Sequence, residues 1–132
     1  MAEVPNVNSQ AFDEVFKIAS SSDDRPVLVL NLNTYFHSQS ATSSDTYNDC
    51  NSAVDAILRE VEGKILWRSP VHGQPVGKQN VDKILAIWYL SHQAFVNIKD
   101  ARSPASFAEA KNRVVKHAII YRGDPYIVER IP

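Results

Sequence analysis

The stretch Val27 to His37, VLVLNLNTYFH, decides the fold. Its side chains fall into two alternating rows, as on a β-strand, where successive side chains point to opposite faces of the sheet. One row contains only leucines, and the other mixes valine with amides, a phenol and an imidazole. The leucine row is Leu28, Leu30 and Leu32, and the mixed row is Val29, Asn31, Asn33, Tyr35 and His37. The pattern predicts a half-buried strand and raises the question of what its polar groups meet.

The composition is that of an ordinary globular protein. The chain has 132 residues, the length of one domain, of which 44% are hydrophobic and 22% charged. With 14 basic and 15 acidic residues it lacks the basic patch that nucleic acid or an anionic membrane requires. Its one cysteine, Cys50, lies in an apolar helical stripe and is expected to be a buried structural thiol. No apolar targeting segment is present, so a cytoplasmic location is expected.

The remaining chain alternates between helical and extended patterns. Apolar residues at helical spacing predict an amphipathic N-terminal helix and a longer second helix that Gly63 ends. Ser91 and Ser103 are the expected N-caps of two further helical pieces. In chain order, the pattern predicts a helix over 9–19, a strand to about 36, a helix over 44–63, strands over 64–72 and 81–90, helices from 91 and 103, a strand over 116–122 and an edge pairing at 126–128.

This order predicts an α+β fold. Without the N-terminal helix it reads βαββαβ, the ferredoxin-like plan of an antiparallel sheet with helices on one face. We therefore divide the chain into an N-terminal helix and linker, 1–25, and a domain, 26–132. We expect the leucine row to lie beneath the helices, which leaves Asn31, Asn33, Tyr35 and His37 on the uncovered face.

The uncovered face of such a sheet also receives large apolar residues from the other strands. Depending on the parity of each strand, these are Trp67 or Leu66, Trp88 or Tyr89, and Ile119 or Ile120. An exposed apolar sheet of this size is a liability in a monomer, and pairing two sheets face to face would bury it. The sequence therefore predicts a homodimer.

Three short motifs carry a resemblance to a known family. They are VEGKILW at 61–67, IWYLS at 87–91, and SPASF at 103–107 with the following Arg113. Over about residues 26–122 the sequence resembles the dimeric α/β-barrel superfamily, and within it a subfamily known only as a domain of unknown function. Two departures are the added N-terminal helix and Trp88, where the subfamily usually has an acidic residue. A catalytic role of that acid is therefore not transferred.

The resemblance implies a cavity between sheet and helices in each protomer that receives a small organic molecule. Superfamily relatives include cofactor-independent monooxygenases, small cyclases, isomerases, lyases and haem-degrading enzymes. The resemblance does not name the reaction.

The candidate catalytic residues are those that could move a proton or hold an oxyanion. His37 opens a hydroxyl-rich loop, and His72 and Arg68 share one parity of the second strand. His117 shares its parity with Ile119 in the last strand. Three of them have a structural alternative. His37 could be an exposed loop histidine, Arg68 could form a surface ion pair, and His117 could be a buried, hydrogen-bonded histidine. His92 is expected to lie at the surface.

The candidate substrate-binding residues form an aromatic pocket with polar groups. Asn31 and Asn33 would orient the oxygens of a ligand, and the resemblance adds Arg113. The aromatic members are Tyr35, Trp67, Trp88 and Tyr89. The alternative for both tryptophans is the core of the dimer, and the amides could equally specify dimer pairing.

Neither a metal nor a cofactor is expected. The four histidines lack metal-ligand spacing, and there is no nucleophile elbow, phosphate-cradling loop or dinucleotide fingerprint. A single histidine could still ligate haem.

The primary hypothesis is a cofactor-independent isomerase, cyclase or lyase acting on an apolar oxygenated metabolite, of the kind used in secondary-metabolite biosynthesis. The alternatives are a cofactor-free monooxygenase of the same superfamily and a non-enzymatic dimeric small-molecule-binding protein.

Overall fold

The computed structural model describes residues 7–36, 45–99 and 115–125. In this part of the chain an α+β fold combines a four-stranded antiparallel sheet with three α-helices, as the sequence predicted. No described helix is long and apolar enough to cross a membrane. The elements are α1 (Ser9–Ala19), β1 (Val27–Tyr35), α2 (Asp45–Glu60), β2 (Gly63–Pro70), β3 (Lys83–Tyr89), α3 (His92–Val96), which a 3₁₀ turn continues over Asn97–Lys99, and β4 (Val115–Gly123).

The strand order in the sheet is β2-β3-β1-β4, and every neighbouring pair is antiparallel. This arrangement is compatible with the ferredoxin-like plan, in which the strands adjacent in sequence are not all adjacent in the sheet. The predicted helix at Ser103 and the predicted edge pairing at 126–128 lie outside the described residues. The side chain of Cys50 also lies outside them.

The helix boundaries follow from local capping. The Asn8 side chain accepts a hydrogen bond from the Ala11 N–H at 3.1 Å and begins α1. Ser91, as predicted, begins α3, because its Oγ accepts from the Ala94 N–H at 3.0 Å. The C-terminal stop of α2 differs from the prediction, since Glu62 takes the left-handed conformation with φ 59°.

Gly63 is required for packing rather than for a left-handed turn. A Cβ at this position would lie 3.0 Å from Leu58 Cδ2 and 3.1 Å from the ring of Tyr89. The glycine therefore allows the first residue of β2 to pass between a helix side chain and a buried aromatic ring.

The prediction of which face of β1 lies beneath the helices was wrong. Val27 and Val29, which are 0% and 1% exposed, pack in one core with Leu58 of α2 and Ala94 of α3. Because side chains alternate, Asn31 shares this face, which we call the inner face. The leucine row points away from the helices, to what we call the outer face. The physical reason is that both rows begin with apolar side chains. The alternation of side chains along the strand shows which residues share a face, but it does not show which face the helices cover.

The centre of the outer face is apolar, and the edge strands β2 and β4 add Lys64, Ser69 and His117 to this face. The registers place the leucine row of β1 opposite apolar residues of β3 on one side and of β4 on the other. Tyr121 is 52% exposed and Trp67 of β2 is 50% exposed. The apolar residues that share this face are Leu28, Leu30, Leu32, Trp67, Ile84, Trp88, Ile119 and Tyr121.

Candidate functional site

A cavity of about 190 Å³ lies between the inner face of the sheet and the helices. This is where the resemblance to the dimeric α/β-barrel superfamily implied a cavity. Most of its described wall is aliphatic or aromatic, with polar groups from β1, β2 and α2. The lining residues are Asn31, Asn33, Tyr35, Asn51, Val54, Ile57, Leu58, Ile65, Arg68, Leu85, Ile87, Tyr89, Phe95, Ile98, Val115, Ala118 and Ile120.

Asn31 lines this cavity and carries a buried, unsatisfied polar atom. Its Oδ1 is buried and accepts no hydrogen bond from any described residue. A buried polar atom without a partner costs about 1–3 kcal/mol, so folded proteins seldom leave one unpaired without a reason. A ligand in this cavity that reached the amide oxygen with an N–H or O–H donor would provide such a reason.

Asn31 and Arg68 belong to one row that crosses the sheet. Leu85 of β3 pairs with Asn31 of β1 on one side and with Arg68 of β2 on the other. The strands of Asn31 and Arg68 are two strand spacings apart, so their Cα atoms are about 10 Å apart. Both residues line the cavity, so a single small molecule could contact both side chains.

Arg68 is the only charged residue in the described lining. Its Nη2 donates to Asp55 Oδ1 of α2 at 3.2 Å, and the two side chains are 38% and 43% exposed. Arg68 had been predicted either to face a cavity or to form a surface ion pair. It lines the cavity and also forms an ion pair.

Two tyrosines line the cavity under different constraints. Burial raises the pKa of the Tyr89 hydroxyl, so it stays protonated at neutral pH and can act only as a neutral hydrogen-bonding group. Its ring lies 5.3 Å from that of Phe95. Tyr35 follows an irregularity in the β1–β4 pairing, and its backbone N–H donates to Asp82 Oδ2 at 2.7 Å. Asp82 thus fixes the backbone of β1 where Tyr35 enters the cavity wall.

The two predicted catalytic histidines that the structure describes do not line the cavity. His72 is exposed in the segment after β2. His117 pairs with Thr34 and lies on the outer face, where it lines a separate pocket with Gln79 and Asn80. His37 and Arg113 lie outside the described residues. Proton transfer by either described histidine inside this cavity is therefore not supported.

The predicted aromatic pocket divides between the two faces. Trp67 and Trp88 lie on the outer face, where the alternative of a dimer core placed them. Tyr35 and Tyr89 lie at the cavity, together with Phe95. The parity of β2 could not be read from the sequence because the β2–β3 register shifts between Ile65 and Trp67.

His92 was predicted at the surface and is instead only 2% exposed. Its Nδ1 lies 2.9 Å from the carbonyl oxygen of Arg25, and its backbone N–H donates to Asp24 Oδ1 at 2.7 Å. Its Nε2 lies 3.4 Å from Nη1 of Arg122, which also pairs with Glu14 of α1 at 3.2 Å. These contacts tie the linker, α1, α3 and β4 together, so this histidine has a structural role.

Sequence reasoning also missed Asn51, which lies one helical turn before Asp55 and lines the cavity. Its position on the apolar side of α2 was the available signal. No cluster of three or more histidine, cysteine, aspartate or glutamate side chains suited to a metal ion occurs within 7–36, 45–99 and 115–125.

Comparison with known proteins supports the fold and no more. No protein-family model matches the chain, and no curated protein matches it significantly. The crystal structure of RPA0582, a protein of unknown function from Rhodopseudomonas palustris, is similar with a TM-score of 0.66 and 17% sequence identity, over 97% of this chain and 100% of that one. The crystal structure of methylated RPA0582 is similar with a TM-score of 0.67, at 17% identity, over 98% and 100% of the two chains. The chain thus shares its α+β fold with a structurally characterised protein whose function is unknown.

Proposed function

We propose that the chain binds a small, mostly apolar, oxygenated metabolite in the inner-face cavity and converts it without a cofactor, as an isomerase, cyclase or lyase. The observation that carries this proposal is the buried Oδ1 of Asn31, which has no described partner, in a residue that lines a mostly aliphatic and aromatic cavity. A ligand with a hydroxyl or N–H group would donate to this oxygen and remove the cost of leaving it unpaired.

The size of the cavity limits the ligand. An engineered protein cavity of about 150 Å³ accommodates benzene, so about 190 Å³ suits a single-ring compound or a short branched chain. The aliphatic wall of Ile57, Leu85 and Ile87 favours such a ligand over a sugar or a nucleotide.

The described polar groups would act on the oxygens of the ligand. Tyr89 remains protonated and can donate a hydrogen bond to an enolate or alkoxide that develops during the reaction. Asn33 and Arg68 provide further N–H donors at the same cavity. Catalysis in this proposal is electrostatic stabilisation and conformational templating of the bound molecule, which need no metal.

A second candidate, a binding protein without catalysis, is favoured by a specific observation. The described cavity wall contains no histidine and no carboxylate, the groups that most often transfer protons in enzymes. Under this alternative Asn31 provides affinity for the ligand and the ligand leaves unchanged.

The test is a panel of single-ring and short-chain oxygenated metabolites incubated with purified protein. Binding is measured by calorimetry, conversion by NMR, and oxygen uptake with an electrode. Binding with conversion that Asn31→Leu abolishes supports the enzyme, while binding with an unchanged ligand supports the alternative. Oxygen consumed in step with conversion would reassign the protein to the cofactor-free monooxygenases. Absence of binding by every member of the panel would contradict both candidates.

We also propose that two copies of the chain pair through their outer faces. On this face the central strands β1 and β3 carry leucines, isoleucine and tryptophan and no charged side chain, while Lys64 lies on the edge strand β2. Two copies related by a two-fold axis through the centre would therefore bring apolar side chains together. Face-to-face packing of two sheets would bury Trp88 and Tyr121, which the sheet alone leaves partly exposed.

A further inference from the structure

We propose that the ligand of the inner-face cavity is a small monocarboxylic acid whose carboxylate binds Arg68 and whose second polar group donates to Asn31. This inference rests on the proposed function, because it concerns the ligand of the same cavity. It specifies the charge of that ligand, its orientation in the cavity and its length.

The charge follows from the composition of the wall. Arg68 is the one charged residue among the described lining residues, and Asp55, its partner, is not part of that lining. The described cavity wall therefore carries a guanidinium, and the carboxylate that pairs with it, that of Asp55, lies outside this lining. An anionic ligand is favoured at such a wall because charge-assisted hydrogen bonds to a carboxylate are stronger than bonds between neutral groups.

The arginine is available to a ligand. Its described ion pair uses one contact, from Nη2 to Asp55 Oδ1 at 3.2 Å, and both side chains are more than one-third exposed. Ion pairs with this exposure contribute at most about 1 kcal/mol. Guanidinium carries five N–H donors in a planar fork, so a ligand carboxylate can bind Arg68 beside Asp55 or in its place.

The orientation and length follow from the sheet. Arg68 and Asn31 share Leu85 as their common neighbour, with Cα atoms about 10 Å apart. Both residues line the same cavity, so the reach of their side chains reduces the distance that a ligand must span. A molecule with a carboxylate at one end of a ring and a hydroxyl at the other spans such a distance and satisfies both groups. A para-substituted hydroxybenzoate is the simplest compound of this class.

The experiment compares 4-hydroxybenzoate with 4-hydroxybenzyl alcohol, which has the same ring and hydroxyl but no charge. We expect the acid to bind about tenfold more tightly in low-salt buffer, measured by calorimetry or NMR titration. Arg68→Gln should remove this preference, because it weakens the binding of the acid much more than the binding of the alcohol. Asp55→Asn should tighten the acid by about threefold, because it removes the competing carboxylate.

Arg59→Gln provides a matched control. Arg59 is an exposed arginine at the end of α2 and is not among the residues that line the cavity. Arg59→Gln and Arg68→Gln each remove one positive charge, so they change the net charge by the same amount. An equal loss of acid binding in both variants would indicate general charge attraction and overturn the assignment to Arg68.

The remaining outcomes separate this inference from the proposed function. If the alcohol binds as tightly as the acid, the monocarboxylate assignment is wrong while the cavity remains a binding site. If neither compound binds and the wider panel of metabolites also fails, both proposals are overturned.

Discussion

Asn31 and Arg68 are both neighbours of Leu85 and lie on either side of it in one cross-strand row of the inner face. The amide contributes a buried oxygen without a described partner, and the guanidinium contributes the only charge in the described cavity wall. The sheet register therefore sets the spacing between the two polar groups, which is more rigid than a spacing set by loops. A ligand that uses both groups has its length fixed by two strand separations.

The first prediction concerns the cost of the unpaired amide. In the absence of ligand, Asn31→Leu should raise the free energy of unfolding by about 1 kcal/mol, because an apolar side chain of similar shape replaces a buried oxygen that has no partner. Urea denaturation at neutral pH measures the change. The same substitution should weaken any ligand that donates to the amide.

Asn33→Leu is the control for this measurement. Asn33 lies on the same strand and faces the same cavity, but it has no buried unpaired atom. We expect a change of about 0.5 kcal/mol or less. If Asn31→Leu instead lowers the stability, the amide has a partner in solution, and the main argument for a ligand fails.

The second prediction concerns the outer face. Leu30 lies at its centre, between Ala86 of β3 and Tyr121 of β4. Wild-type protein at micromolar concentration should have the mass of two chains by light scattering, and Leu30→Lys should have the mass of one. The reason is that two buried lysines facing each other across a two-fold axis would be desolvated and would repel each other.

Val76→Lys adds the same charge at a position that is 88% exposed between β2 and β3, and it should leave the mass unchanged. A wild-type mass of a single chain would contradict the proposed pairing of outer faces. It would leave the inner-face cavity unaffected, because that cavity belongs to one chain.

Local sequence signals predicted the elements well. The helix over 9–19 and the cap at Ser91 are confirmed because each depends on contacts within a few residues. The assignment of faces failed because it depends on the whole sheet. The leucine row is more apolar than the mixed row, yet Val27 and Val29 form the core while the amides beyond them border a cavity.

Polar contacts between residues far apart in the sequence could not be predicted for the same reason. Arg68 and Asp55 are 13 residues apart, and His92 and Asp24 are 68 residues apart. Neither spacing forms a motif, since each pair meets only after the strands and helices have packed. A histidine after a serine cap is typical of an exposed helix terminus, and only the folded linker shows that His92 is buried.

The third prediction concerns the junction between the linker and α3. Asp24 accepts hydrogen bonds from the N–H groups of His92 at 2.7 Å and Gln93 at 3.3 Å, and its side chain is 19% exposed. Asp24→Ala should lower the free energy of unfolding by about 1–2 kcal/mol, because both donors lose their acceptor at a helix N-terminus. Asp23→Ala, one residue earlier and exposed, should change it by about 0.5 kcal/mol or less in the same urea titration. Equal effects of the two substitutions would show that the α3 cap does not depend on Asp24.

The fourth prediction uses the raised pKa of Tyr89. Burial disfavours the phenolate in the folded state, so above about pH 10 the unfolded chain loses this proton while the folded chain keeps it. Fewer protons bound to the unfolded state mean that the stability falls as the pH rises, by at most about 1.4 kcal/mol per pH unit for one group. Below about pH 10 both states are protonated, and the stabilising contribution is fully present.

Tyr89→Phe isolates this contribution from the other tyrosines and the lysines. Urea midpoints measured from pH 8 to pH 11 should fall less steeply for the variant than for wild type, and the two curves should run parallel below about pH 10. Tyr121→Phe, at a tyrosine that is 52% exposed on the outer face, should retain the wild-type slope. If Tyr89→Phe and wild type fall equally at high pH, the Tyr89 hydroxyl ionises in the folded protein. It would then have access to solvent, and a role as a protonated hydrogen-bond donor in the cavity would be excluded at alkaline pH.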